Sequence, residues 1–125
     1  MKKAPCNTEV LKQKVEEHHE DLKSDVDDLK GKCVQSAPEL AEKIKNETSC
    51  RAVAVRGMFG VQGKTVSHEW VQVGSVDDSK GPVMVDATIE QFNDPEVPNV
   101  SEGEVSFPET AVVNQDDDLR DYYKR

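Results

Sequence analysis

Apolar material is scarce in this chain and aromatic material scarcer: 35% of its 125 residues are hydrophobic and 5% aromatic. No run approaches the ~20 apolar residues of a membrane-spanning helix. Lys2 and Lys3 resemble the basic start of a signal peptide, but no apolar stretch follows them. Basic residues are also few: sixteen Lys and Arg face 25 Asp and Glu, a net charge of -9. Such a field repels phosphate backbones and anionic lipid, so neither nucleic acid nor a membrane is expected as a partner. Cysteine is limited to Cys6, Cys33 and Cys50, with no CxxC and no close pair. An odd count leaves at least one thiol unpaired in a monomer, which suits a reducing compartment. The expected localisation is cytoplasmic, or outside the cell by dedicated export machinery.

What remains is enough for one domain with solvated flanks. The first third reads as helical. Thr8 is a capping residue, Leu11, Val15, Leu22, Val26 and Leu29 recur on one stripe, and Gly31 is a stop signal. The other face is dense with Glu, Asp and Lys. The seam is narrow, so this helix either packs on the domain or pairs with a second copy. Residues 1–32 are read as a charged N-terminal helix and 33–125 as the compact remainder of one structural unit.

A short second helix is expected from Pro38, with Leu40, Ala41 and Ile44 inward. A third is expected to place Val55, Met58 and Phe59 on one face and to end near Gly57 to Gly60. Beyond it the period changes. Thr65 to Val73 and Pro82 to Ala87 read as Val-rich antiparallel strands, the first buried on both faces. Asn93 to Glu109 reads as loop, and Asp116 to Arg125 as a last helical turn or a frayed end. Gly57, Gly60 and Gly63 precede Lys64-Thr65, but a phosphate loop needs four residues between its glycines. The fold class is α+β: N-terminal helices on a small antiparallel sheet.

Chemistry concentrates in a thiol, an imidazole and a carboxylate: Cys50, His68 and Asp86. Cys50 falls at the expected start of the third helix, where free N–H groups and the helix dipole favour a thiolate. His68 and Asp86 fall on adjacent strands, near enough for the carboxylate to orient the ring. A thiolate attacks an acyl carbon, an imidazole moves the proton, and a carboxylate fixes its tautomer. The Cys50 N–H could supply one oxyanion donor, with Asn46 or Gln91 as the second. His18 and His19 stand among Glu16, Glu17, Glu20 and Asp21. Adjacent helical positions diverge, so a solvated face is expected there, with no metal and no cofactor.

The segments Ser67-His68-Glu69-Trp70-Val71-Gln72-Val73 and Val83-Met84-Val85-Asp86-Ala87-Thr88-Ile89-Glu90-Gln91-Phe92 resemble the papain-like and transglutaminase-like thiol superfamily. In that superfamily a helix-borne Cys is followed by His-x-Trp-Val-x-Val and then Asp-x-Thr. The trailing Gln-Phe is similar to papain-like domains of bacterial toxins and effectors, several of which deamidate glutamine. The resemblance spans Ser49 to Phe92. It implies a papain-like core with Cys50 as nucleophile, His68 as base and acid, and Asp86 as orienter. Trp70, Thr88 and Gln91 match supporting positions.

The function expected is a cysteine-dependent amide hydrolase, a glutamine deamidase or peptidase, acting on a protein or peptide. A transglutaminase-type acyl transferase is one alternative. The other is a non-enzymatic interaction protein using the acidic N-terminal helix, which could also form a homo-oligomer. On the enzymatic reading Cys50 should react with iodoacetamide at pH 6 far faster than Cys6 or Cys33.

Overall fold

The computed structural model describes residues 3–25, 33–61, 64–74, 76–79, 81–93, 107–114 and 117–124. Two helices, α1 (Thr8–Asp25) and α2 (Cys33–Glu47), precede strands β1 (Arg51–Val61), β2 (Lys64–Gly74) and β3 (Val83–Asp86). A 3-10 helix (Ile89–Asn93), β4 (Ala111–Val113), a second 3-10 helix (Asp118–Tyr122) and β5 (Tyr123–Lys124) complete the chain. The strands form one sheet in the order β4-β3-β2-β1-β5, and every pairing is antiparallel. The α+β class and the antiparallel β2–β3 pair thus match the sequence reading.

Helix α1 starts one residue earlier than expected of a Thr8 cap. Asn7 Oδ1 accepts from the Val10 N–H at 2.9 Å, while Thr8 is the first helical residue and bonds to Asp78 instead. Leu11 and Val15 are fully buried in a cluster with Leu40 and Ile44 of α2. The described part of the acidic helix therefore spends its seam on its own domain. Val26, Leu29 and Gly31 lie outside the described residues.

Helix α2 begins five residues before the expected start and carries Pro38 within it. Proline there removes one hydrogen bond close to the helix's N-terminal end, and burial of Leu40, Ala41 and Ile44 offsets the loss.

The expected third helix is a strand. Val55 and Phe59 do share a face, but β1 alternates, and it pairs with β2 from Arg51↔Gly74 to Val61↔Lys64. Met58 lies on the other face and is exposed. Positions four apart share a face in a strand as in a helix, so a short apolar run does not distinguish the two. Only two residues, Gln62 and Gly63, separate the strands, which is the length of a tight hairpin connection.

Alternation sorts the sheet into two faces. Ala52, Ala54, Val71, Val73, Val83 and Val85 pack under α1 and α2. On the reverse lie Val55, Phe59, Trp70, Met84, Ala111 and Val113, covered by Ile89, Phe107 and Tyr123. All six aromatic residues of the chain gather on that reverse face. Strand β2 is accordingly buried on both sides, as its Val-rich sequence suggests.

The N-terminus is tied to the start of β1. Ala4 forms a parallel bridge with Thr48, the Ser49 N–H donates to the Ala4 carbonyl at 2.9 Å, and Cys6 is disulfide-bonded to Cys50. This pairing corrects the expectation of reduced thiols, because such a bridge persists in oxidising surroundings. Among the described residues no helix is long and apolar enough to cross a membrane.

Two substitutions test this framework. The bridge closes a separation of 44 residues, so a Cys6→Ser, Cys50→Ser double variant should lose about 2–4 kcal/mol in urea unfolding. At Gly57 a Cβ would overlap the Lys124 carbonyl oxygen and stand 2.6 Å from Trp70 Cη2. Gly57→Ala should push β5 off β1 and cost about 1–3 kcal/mol; an unchanged Tm would contradict the packing described.

Candidate active site

His68 and Asp86 meet on the aromatic face. His68 lies near the middle of β2, whose even-numbered residues point away from the helices, and Asp86 ends β3 on the same side. The His68 Nε2–Asp86 Oδ2 distance is 2.7 Å, and both side chains are nearly inaccessible. An ionised carboxylate only accepts, so Nε2 carries a proton and donates to Oδ2.

Asp86 receives more than the imidazole. The Thr88 N–H donates to Oδ1 at 2.9 Å and the Thr88 hydroxyl to the same oxygen at 3.2 Å. The Tyr123 hydroxyl donates to Oδ2 at 2.8 Å. Burial alone would push the Asp86 carboxyl up. The His68 charge and the hydrogen bonds from His68, Thr88 and Tyr123 outweigh it and hold the group below its ordinary value of 3.8. Burial, followed by the neighbouring Asp86 charge, drives the Tyr123 hydroxyl well above 10.0, so it stays a donor throughout the physiological range.

Aromatic rings fix the imidazole. Phe59 and Phe92 meet it edge-on, with centroids 5.5 and 4.9 Å away, and Trp70 lies 5.9 Å away at a tilt. Trp70 and Thr88, both expected as supporting residues, are thus brought to the pair. Tyr123 was not foreseen: it lies 37 residues beyond Asp86 in a tail with no motif. Gln91 belongs to the 3-10 helix after β3, and its side chain lies outside the described residues.

Cys50 does not join them. It precedes β1 rather than starting a helix, its sulfur is bonded to Cys6, and it packs in the helix-side cluster on the opposite face from His68. Its N–H is already given to Thr48 Oγ1 at 3.0 Å and is no oxyanion donor. Asn46 is exposed near the C-terminal end of α2, at that same end of the sheet. The nucleophile assignment to Cys50 and the oxyanion assignment to Asn46 are both corrected.

The opposite end of α2 lies elsewhere. Ser36, in its first turn, has its hydroxyl 3.1 Å from His18 Nε2 of α1. The next residue, His19, bonds to the carbonyl of Ala87, which directly follows Asp86. Helix α2 therefore starts at the end of the sheet that carries Asp86 and finishes at the end that carries Cys50. Its first residue is Cys33, the one cysteine outside the disulfide.

No protein-family model, curated protein or solved structure matches the chain. The likeness to papain-like and transglutaminase-like enzymes therefore rests on the motif residues alone.

The buried carboxylate makes two measurable demands. Tyr123→Phe keeps the ring and removes one donor, and should cost about 1–3 kcal/mol in urea unfolding. Asp86 has a depressed native pKa, so its contribution is complete above the unfolded value near 3.8 and is lost as pH falls through the native value. The urea midpoint of the wild type should fall steeply on acidification below about pH 4. Asp86→Asn, less stable at pH 7, should show a shallower fall; parallel acid limbs would count against an ionised buried Asp86.

Proposed function

We propose that the protein is a non-enzymatic interaction protein that takes a basic partner on the acidic face of α1, with the His68–Asp86 pair as a buried part of its core. The observation that carries this reading is the burial of that pair: the side chains of His68 and Asp86 are 1% and 2% exposed, on the face of the sheet opposite α1 and α2. Cys50 is bonded to Cys6 on the helix side, and Cys33 begins α2, which packs on that same side. The described part of α1 turns Leu11 and Val15 inward and leaves Glu9, Glu16 and Glu20 exposed. An acidic face of this kind favours a partner of complementary charge.

Binding of a lysine-rich peptide to the oxidised protein, followed by fluorescence polarisation, tests this. Replacing Glu9, Glu16 and Glu20 together by Gln should weaken binding at least fivefold, and 0.5 M NaCl should remove most of it. Binding unaltered by the triple variant would overturn the reading. So would iodoacetamide labelling of Cys33 at pH 6 that is tenfold faster in the native than in the urea-unfolded chain and is lost in His68→Gln, because that result would restore thiol chemistry.

A further inference from the structure

His19 and two carboxylates from distant parts of the chain form a second cluster, well apart in chemistry from the His68 pair. His19 is 1% exposed. Its Nδ1 lies 2.9 Å from the Ala87 carbonyl oxygen, which can only accept, so Nδ1 carries the proton and the lone pair belongs to Nε2. That Nε2 is buried and has no hydrogen-bond partner. It faces Glu90 Oε2 at 3.5 Å and Glu109 Oε2 at 3.7 Å. One donor atom from each of the three residues lies within 4.8 Å of the others.

We propose that His19, Glu90 and Glu109 bind a divalent first-row cation, with Zn2+ as the best match. The ring is set as metal-bound imidazoles are set, one nitrogen donating to a carbonyl and the other presenting its lone pair. Tetrahedral zinc with ligands at ~2.0–2.2 Å holds its donors ~3.4 Å apart, close to the separations already present around Nε2. Glu109, whose side chain is 66% exposed, can rotate to close the remaining gap. One imidazole with two carboxylates suits zinc better than the all-oxygen shells of magnesium and calcium.

A cleft of about 680 Å³ adjoins His19 and Glu109. Its walls include Lys12, Glu16 and Glu20 of α1 and Thr110. It gives an ion a path from solvent and leaves a fourth position for water or an exogenous ligand. The ion would join α1, the 3-10 helix after β3 and the segment before β4. It would thereby brace the turn that carries Asp86 and Thr88. The site is independent of the proposed partner face, because none of its ligands is Glu9, Glu16 or Glu20.

Calorimetric titration of ZnCl2 into the full oxidised chain, with Cys33→Ser to remove thiol binding, should give one site per chain with a dissociation constant of 10 μM or tighter. A hundredfold excess over that constant should raise Tm by about 5–10 °C. His19→Gln should abolish binding, and Glu109→Gln, at an exposed position that leaves packing intact, should weaken it at least tenfold. His18→Gln should leave it unchanged. No binding at 100 μM Zn2+, saturation by Ca2+ in preference to Zn2+, or affinity unaltered by Glu109→Gln would each overturn the assignment and leave an ordinary histidine–carboxylate ion pair.

Discussion

A carboxylate taken out of water must have its charge answered by the protein, and Asp86 sets that condition for this fold. Three elements converge to meet it: His68 from the neighbouring strand, Thr88 from the turn that follows, and Tyr123 from the last strand. Each would cost stability if withdrawn, because the charge would stay behind in a medium of low dielectric. The short strand β5 is thereby fixed to the far side of β1, and the chain's few aromatic rings are drawn over the face where the carboxylate sits. Burial and hydrogen bonding thus act in opposite directions on one group, and the hydrogen bonds prevail.

The two faces of the sheet divide the work. The helix side is aliphatic and closed by the Cys6–Cys50 bridge, which fixes the N-terminus against the start of β1. The reverse side holds the histidine among aromatic edges. The two histidine clusters follow the same rule from opposite sides of the Asp86 turn. In each, a fixed acceptor beside one ring nitrogen dictates that this nitrogen carries a proton. For His68 that acceptor is Asp86, and for His19 it is the Ala87 carbonyl.

Much of the β region was legible in sequence. The Val-rich run through Thr65 to Val73, without clean alternation, identified a two-sided strand, and the His-x-Trp and Asp-x-Thr spacings put His68, Trp70, Asp86 and Thr88 together correctly. The errors have separate causes. Val55 and Phe59 share a face in a helix as in a strand, and mistaking β1 for a helix gave Cys50 a helix start it does not have. The start of α2 at Cys33 was missed for a separate reason, because Pro38 reads as a first-turn proline. Helices α1 and α2 were found, but their ends shifted, because Asn7 and not Thr8 caps the first and Pro38 is tolerated inside the second.

What the sequence alone determined is whatever depends on neighbours in the chain: the amphipathic seam of Leu11 and Val15, the alternating strands, the acidic balance, and the motif residues that meet across one hairpin-like pair. What only the tertiary structure decided is which distant groups come together: Cys6 with Cys50, Tyr123 with Asp86, and His19 with Glu90 and Glu109. Local periodicity reports which face a residue occupies. It carries no record of register across the sheet or of where a returning tail will dock, and those contacts are selected by burial and charge only once the layers have packed.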